Sequence, residues 1–212
     1  LLYRSVGLPT GTSELSGVVS YPFCDHEDPI GFCDSNWGPQ DASHPTGEAD
    51  NTLDVEEARS LQGALIVRMG GAIAWKEMRE KRVSRATCEA EIKSLDECTR
   101  LVQALRLVLE DLGMRDIDKP TLIYNDNQGS VDWSKGWANR RMRHMNIRNM
   151  AVRDAREHRE IDIEHIEGEL NPADILTKEH GSAEKFISLC EVIVPLHPDG
   201  GCENPSTTVE AD

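Results

Sequence analysis

The chain has 212 residues, of which 38% are hydrophobic and 29% are charged, and its six cysteines show no paired CxxC spacing. These values are typical of a globular protein, and the length is sufficient for one domain with its own core and for additional residues outside it. They exclude a membrane span, because no apolar run approaches the roughly 18 residues that a span requires. They also disfavour a disulfide framework or a zinc ribbon and indicate a reducing compartment.

The net charge of −15 is unevenly distributed along the chain. Residues 1–60 carry 11 acids and two arginines, and residues 193–212 carry four acids and neither lysine nor arginine. The basic segment, residues 134–159, holds eight lysines and arginines against two acids. Because lysine and arginine bind phosphates, the basic segment is a candidate nucleic-acid surface within an otherwise acidic chain.

The domain is predicted to occupy residues 30–192. Residues 1–29 are rich in Gly, Ser, Thr and Pro without a sustained period, which indicates a linker or a remnant that precedes the domain. Residues 193–212 are predicted to be a disordered acidic tail, and residues 38–57 a polar, acidic loop. The chain starts without methionine or an apolar leader, so we expect a piece of a longer polypeptide that is not secreted.

Three strands and a long helix are predicted in the first half of the domain. A short apolar run at residues 30–33 indicates the first strand. The apolar runs at 65–67 and 73–75, separated by two glycines, indicate a hairpin. From residue 84 to about 112, apolar residues recur at helical spacing, and a glycine follows the last of them.

The second half alternates strands with helices. A strand is predicted at residues 121–124, helices through 127–159 with a break near Gly136, and a strand around Ile161 and Ile163. Asn171-Pro172 is predicted to open a final helix. Strands separated by helices favour parallel pairing, and the early hairpin adds antiparallel strands. The predicted fold class is therefore α/β, with a mixed sheet flanked by helices.

Four acids are predicted to lie at the ends of these elements. Asp34 follows the first strand and Asp126 the fourth, and sites in open α/β sheets gather beyond such strand ends. Two facing carboxylates repel each other unless a cation lies between them, and Mg²⁺ is the natural cation for oxygen ligands. Asp174, at the start of the last helix, and Glu91, on the long helix, extend the set. For any one of them alone, the alternative is a solvated or helix-capping acid.

The helical phase of residues 84–112 separates two neighbouring glutamates. Each residue of an α-helix advances by about 100°, and the apolar side chains of this segment form one buried stripe. Glu91 falls inside that stripe, whereas Glu89 falls well off it. A carboxylate held against a core is costly unless a metal compensates it. Glu91 is therefore the predicted site residue, and Glu89 is predicted to lie in solvent.

Six ordered segments resemble the ribonuclease H domain of copia-type LTR retrotransposon Pol polyproteins. They are residues 31–37 (GFCDSNW), 70–76 (GGAIAWK), 88–91 (CEAE), 124–127 (YNDN), 143–148 (RHMNIR) and 173–178 (ADILTK). The resemblance covers residues 30–180. It implies a ribonuclease H-like fold, a mixed five-stranded sheet with three antiparallel and then two parallel strands, flanked by helices.

The resemblance also implies a function and a site. It implies an endonuclease that hydrolyses the RNA strand of RNA–DNA hybrids by a two-metal mechanism during reverse transcription. The implied catalytic and metal-binding acids are Asp34, Glu91, Asp126 and Asp174, with two Mg²⁺ ions for which Mn²⁺ can substitute. His165 lies near the place where the family often has a histidine on a mobile loop that helps proton transfer or product release, and the alternative is an ordinary strand-end histidine.

The implied partners are the RNA–DNA hybrid and the neighbouring reverse transcriptase domain of the same polyprotein, with no membrane. The implied location is cytoplasmic, in a virus-like particle, or nuclear. Basic residues interleaved with tryptophans suit a hybrid-binding surface. The predicted phosphate-binding residues are Lys135, Arg140, Arg141, Arg143 and Arg148. Trp133 and Trp137 are expected mainly in the core, and the alternative for the arginines is a solvated helical face.

Two competing functions are left open by the residues. One is a catalytically inactive, domesticated or degenerate domain that only binds nucleic acid or a polymerase domain. The other is a retroviral-type integrase core, which shares the fold. Its signature needs a third acid from a helix after the second aspartate, so the order Asp, Glu, Asp, Asp fits ribonuclease H better.

Overall fold

The computed structural model describes residues 28–37, 55–56, 58–69, 71–114, 119–136, 150–178 and 183–193. The predicted linker at residues 1–29 lies outside these ranges except for its last two residues. Most of the acidic loop at 38–57 also lies outside them. Of the predicted tail only Ile193 is described, as the last residue of a helix.

Five strands form one mixed sheet. They are β1 (Ile30–Asn36), β2 (Leu61–Arg68), β3 (Gly71–Arg79), β4 (Thr121–Asn125) and β5 (Ile161–His165). Their order across the sheet is β3-β2-β1-β4-β5. β2 pairs antiparallel with both β1 and β3, whereas β4 pairs parallel with both β1 and β5. This arrangement confirms the predicted mixed sheet of three antiparallel and two parallel strands.

Helices pack against this sheet. They are α1 (Thr87–Asp111), α2 (Gln128–Ser134), α3 (Met150–Glu157) and α4 (Ala183–Ile193), with two 3-10 turns at Gly168–Leu170 and Pro172–Leu176. α1 contacts β1, β2 and β4, α2 and α3 contact β5, and α4 contacts β3. Within the described ranges, no helix has the length and apolar character needed to cross a membrane.

α1 begins three residues later than its apolar pattern predicts. Ser84, the predicted start, has its hydroxyl 2.7 Å from Glu80 Oε2, and its carbonyl accepts a 3.0 Å hydrogen bond from Trp37 Nε1. Because Ser84 is bonded to groups outside the helix, regular structure starts only at Thr87. The other end agrees with the prediction, since Gly113 takes a positive φ of 64° just after the helix.

The core lies between α1 and the sheet. The central part of the predicted apolar stripe of α1 is buried there, where Ile92, Leu95, Cys98 and Val102 are each at most 1% exposed. Leu105 is only partly buried, and Leu112, just after the helix, is 63% exposed. The four buried residues pack in one cluster with apolar residues of the strands and with Trp133, which is 2% exposed. The expectation that Trp133 belongs to the core is confirmed, while Trp137 lies outside the described residues.

The predicted final helix is divided in two. Asn171 opens a 3-10 turn, Pro172–Leu176, by accepting a 3.1 Å hydrogen bond from the backbone N–H of Ala173. At Thr177 the backbone leaves the helical conformation with φ −125°, and the Thr177 hydroxyl donates to the carboxylate of Asp34. The turn therefore ends where its side chains reach β1, and α4 forms separately.

Candidate metal centre

Two aspartates lie at the edge where β1 and β4 stop pairing. The last pair of the parallel ladder is Cys33 with Asn125, so Asp34 and Asp126 come directly after it on each strand. Asp126 follows the end of β4 as predicted. Asp34 does not follow the end of β1, because that strand continues to pair with β2 as far as Asn36. The two acids nevertheless meet at one edge of the parallel ladder.

α1 adds a third carboxylate to this edge. Glu91 is 3% exposed, and Asn125 Nδ2 donates a 3.0 Å hydrogen bond to Glu91 Oε2. One carboxylate oxygen from each of Asp34, Glu91 and Asp126 lies within 4.8 Å of the other two. We call these three residues the acidic cluster. The structure thus brings together three of the four predicted metal-binding acids.

Glu89 lies on a different face of α1, as its helical phase predicts. Its carboxylate is 3.1 Å from Lys93 Nζ and accepts a 3.0 Å hydrogen bond from the backbone N–H of Arg85. The side chain is only 18% exposed. Glu89 is therefore a paired surface residue, and the expectation that it lies free in solvent is corrected.

The fourth acid, Asp174, approaches the acidic cluster through a lysine. It lies in the turn Pro172–Leu176 and is 2% exposed. Lys178 Nζ is 2.7 Å from Asp174 Oδ1, 3.3 Å from Asp34 Oδ1 and 4.0 Å from Asp126 Oδ2. Asp174 is not among the acids whose oxygens lie within 4.8 Å of one another. An ammonium group therefore links the fourth predicted ligand to two of the other three.

A glycine on β2 allows the turn to pack this closely on the sheet. A Cβ atom at Gly63 would lie 2.9 Å from side-chain carbons of both Leu176 and Thr177. Thr177 is 1% exposed, and its hydroxyl donates to Asp34 Oδ2. A larger residue at position 63 would push the turn, and with it Thr177 and Lys178, away from Asp34.

Burial and mutual repulsion dominate the electrostatics of the site. Burial raises the pKa of Asp34, an effect that Lys178 and Thr177 oppose. Burial, together with the charge of Asp34, raises the pKa of Glu91 to about 9. Burial and the same neighbour also raise the pKa of Asp126. The pKa of every member of the acidic cluster is thus shifted against its charged form, because burial and mutual repulsion outweigh the opposing charge of Lys178.

Buried polar side chains fix the backbone beneath the acids. The amides of Asn125 and Asn171 both point at the carbonyl oxygen of Cys33, at 3.3 and 3.0 Å. Ser94 Oγ lies 2.7 Å from the carbonyl oxygen of Asp34. All three side chains are 0% exposed. Sequence reasoning missed them, and the only signal for the two asparagines was their place within three residues of a predicted site aspartate.

His165 lies at the rim of the acidic cluster. It is exposed at the end of β5, and its Nε2 is 3.0 Å from the backbone oxygen of Asp126. The chain then passes close to the same aspartate, since a Cβ atom at Gly168 would lie 3.1 Å from Asp126 Oδ2. The structure therefore places His165 against the backbone of a site residue, with its contact on the carbonyl and not on the carboxylate.

The predicted phosphate-binding residues fall mostly outside the described residues. Lys135 is described and is exposed just after α2. Four others lie in the segment that the structure does not describe: Arg140, Arg141, Arg143 and Arg148. Arg153, the next arginine along the basic segment, stacks on Trp133 with its Cζ 4.4 Å from the ring centroid, so it supports the core.

A broad cleft between α1 and β3 lies apart from the acidic cluster. It is lined by basic and acidic side chains that pair with each other, among them Lys76 with Glu97 at 2.6 Å and Lys93 with Glu80 at 3.0 Å. Lys93 and Glu91 are about 200° apart on α1, so the helix separates the cleft from the cluster. The site acids therefore do not lie in this cleft.

Comparisons with known proteins place this geometry in a family. No protein-family model matches the chain. The chain is 31% identical over 151 residues to the retrovirus-related Pol polyprotein from transposon TNT 1-94 of Nicotiana tabacum, a match covering 71% of the chain and 11% of the polyprotein. It is 27% identical over 136 residues to that from transposon RE1 of Arabidopsis thaliana, covering 64% and 9%. The chain thus spans about a tenth of the length of the curated relatives it matches.

Among solved structures, the chain is similar to LC11-RNase H1, isolated from compost by a metagenomic approach. The TM-score is 0.50 at 15% sequence identity, with 71% of this chain and 93% of that chain covered. At this sequence identity the similarity shows a shared fold and no more. A ribonuclease H-like fold agrees with the strand order described above. Fold, motifs and relatives together confirm the recognition made from the sequence: the chain is a ribonuclease H-like domain of the copia-type, retrovirus-related Pol polyprotein family.

Proposed function

We propose that the chain hydrolyses the RNA strand of RNA–DNA hybrids with carboxylate-bound divalent metal ions, as a part of retrotransposon reverse transcription inside the cell. The observation that carries this proposal is the acidic cluster, in which β1, α1 and the residue after β4 each contribute one carboxylate oxygen, all within 4.8 Å of one another. Its setting in a ribonuclease H-like fold supports the choice of substrate.

The chemistry of the donor set fits a divalent ion. Carboxylate oxygens are the ligands that Mg²⁺ prefers. Asp34, Glu91 and Asp126 repel one another at close range, which a dication relieves. Divalent ions in such a site supply hydroxide from water and stabilise the leaving oxygen of a phosphodiester. We propose two Mg²⁺ ions, replaceable by Mn²⁺, held by these three acids and Asp174.

The other residues of the site position these acids. Asn125 holds Glu91 by its 3.0 Å hydrogen bond, and the Thr177 hydroxyl donates a hydrogen bond to Asp34. His165, exposed at the rim, is proposed to carry protons or to assist product release. The 2′-hydroxyl is the group by which such a site distinguishes RNA from DNA.

The proposed partners are the hybrid and the reverse transcriptase domain of the same polyprotein. The basic segment supplies phosphate contacts in this proposal, because it concentrates positive charge in a chain of net charge −15. Lys135 marks its described start, at an exposed position after α2.

Cleavage of a labelled hybrid tests the function. The purified 212-residue chain should cut end-labelled RNA paired with DNA when Mg²⁺ or Mn²⁺ is present and should stop when EDTA is added. Matched DNA–DNA and RNA–RNA duplexes of the same sequence should stay intact. A chain that binds the hybrid but leaves it uncut in both metals would establish the alternative, a domain that only binds nucleic acid.

The salt dependence of hybrid binding tests the basic segment. Replacing Arg140, Arg141 and Arg143 together by Ala should weaken binding. It should also flatten the plot of log affinity against log salt by about one unit for each phosphate that the variant no longer binds. The measurement is fluorescence anisotropy with a labelled hybrid between about 50 and 200 mM salt.

A charge-matched variant serves as the control. Lys81, Arg82 and Arg100 are exposed around the cleft between α1 and β3, on the other side of α1 from Glu91. Their replacement by Ala removes the same three charges and should leave the slope nearly unchanged. If this control flattens the slope and the arginine variant does not, the hybrid binds at the cleft.

A further inference from the structure

Lys178 extends its ammonium group among three of the four proposed metal-binding acids. Its ammonium nitrogen is within 4.0 Å of oxygens of Asp34, Asp126 and Asp174. The contact with Asp34 joins residues that are 144 positions apart in the sequence, so it depends on the complete fold. A side chain that neutralises carboxylates a dication would bind has a direct bearing on metal affinity.

The ammonium group is held between two buried carboxylates. Its nitrogen is 2.7 Å from Asp174 Oδ1 and 3.3 Å from Asp34 Oδ1. Asp34 and Asp174 are only 1% and 2% exposed, so water can hardly solvate their negative charges. Lys178 therefore compensates buried negative charge, which is costly when it is unpaired.

The side chain of Lys178 has a route out of the site, whereas its backbone is fixed. The Lys178 backbone N–H donates a 2.9 Å hydrogen bond to the carbonyl of Asp174. The side chain is 35% exposed, so its four-carbon stem can carry the ammonium into solvent without moving the turn. The acids can thus exchange one cation for another by a rotamer change.

We propose that Lys178 is an internal counter-ion that holds the acids together in the metal-free protein and leaves when a divalent ion binds. Like charges on the same oxygens repel each other, so metal binding and the inward position of Lys178 exclude one another. Lys178 then stabilises the metal-free fold and weakens metal affinity. The inference rests on the proposed metal-dependent function, and it concerns the binding of the ion, which is measured separately from cleavage.

Removing the charge of Lys178 should lower the stability of the metal-free protein and raise its affinity for Mg²⁺. Lys178→Met keeps most of the stem and removes the ammonium. In EDTA, its melting temperature should fall below that of the wild type. Its affinity for Mg²⁺, measured by isothermal titration calorimetry without nucleic acid, should rise by about tenfold or more, because a competing charge close to the ligand oxygens is gone. Lys178→Arg keeps the charge, so both its fall in melting temperature and its rise in Mg²⁺ affinity should be smaller.

A variant of a second lysine, Lys93, distinguishes the counter-ion role of Lys178 from the effect of losing any ion pair. Lys93 is 26% exposed and pairs with Glu80 and Glu89 on the other side of α1 from Glu91. Lys93→Met should lower the melting temperature and leave Mg²⁺ affinity unchanged. If Lys178→Met does not fold, Lys178→Gln keeps a hydrogen-bond donor for Asp174 and should show the same gain in affinity.

The outcomes decide between the inference and the proposed function. Mg²⁺ affinity that is equal or weaker in both Lys178→Met and Lys178→Gln overturns the counter-ion role, even if the wild type cuts hybrids. A gain in affinity in these variants upholds it, even if the wild type leaves hybrids uncut, in which case the proposed nuclease function alone fails. Absence of Mg²⁺ and Mn²⁺ binding in wild type and variants overturns both.

Discussion

Asp34→Asn and Asp126→Asn should each reduce metal-dependent cleavage of the hybrid by on the order of a thousandfold or more. Both acids follow the last pair of the β1–β4 ladder and offer oxygens to the acidic cluster. Asparagine preserves the shape of the side chain but replaces one oxygen by an amide nitrogen, which cannot bind Mg²⁺. The measurement is initial cleavage rate at saturating hybrid, in Mg²⁺ and again in Mn²⁺.

The fold and hybrid binding should survive these changes. Circular dichroism spectra of both variants should match that of the wild type, because each removes one of several mutually repelling charges and adds no bulk. Asp162→Asn is a suitable control, since Asp162 lies on β5 with its side chain 47% exposed and paired with Arg156. It should cut at the wild-type rate. An Asp34→Asn variant that retains more than about a tenth of the activity would place the active site elsewhere.

The sheet was predictable because its strands carry their burial pattern in the sequence. Ile161 and Ile163 alternate with Asp162 and Glu164, and the structure buries the two isoleucines at 1% and 0% exposure. The same reasoning predicted the buried face of α1, and therefore the position of Glu91. In these elements each side chain faces the core or the solvent according to a fixed period, so local sequence is sufficient.

The details of the site were not predictable in this way. Asp34 was expected to end β1, because polar residues interrupt an apolar run, yet β1 continues through it to Asn36. An apolar pattern reports burial, whereas a strand continues as long as its neighbour offers hydrogen bonds, and β2 does so. The extent of β1 therefore depends on a strand that begins 25 residues after Asn36 in the sequence.

Lys178 shows the same limit for charged residues. Its position four residues after Asp174 is consistent with a contact between these two, but nothing in the sequence relates it to Asp34 or Asp126. That contact needs the turn Pro172–Leu176 to pack on β2, which Gly63 permits. The sequence predicts site acids from their positions at the ends of strands and helices. It does not predict Lys178, because this lysine reaches Asp34 only when the turn Pro172–Leu176 packs closely on β2.

Glu91→Gln should remove most of the cleavage activity, and Glu89→Gln should leave it nearly unchanged. Glu91 is 3% exposed and belongs to the acidic cluster. Glutamine at position 91 can still accept the hydrogen bond that Asn125 donates, but it brings a neutral group where a metal ligand is needed. Glutamine also has no ionisable group, so the repulsion by Asp34 that helps to raise the pKa of Glu91 to about 9 is removed. The metal-free variant should therefore melt at or above the wild-type temperature while its activity is lost.

Glu89→Gln makes the same chemical change two residues away on the same helix, about 200° around its axis. Glu89 pairs with Lys93 and accepts from the backbone of Arg85, contacts that bind the start of α1 and do not touch the cluster. The substitution should cost on the order of 1 kcal/mol of stability, since this surface ion pair is partly buried and Gln can keep the hydrogen bond with the backbone of Arg85. Comparing the two variants by cleavage rate and by thermal melting separates a role in the site from a role in the fold. If Glu89→Gln proves inactive and Glu91→Gln remains active, the burial of Glu91 serves the core alone, and the metal must be bound by the other face of α1.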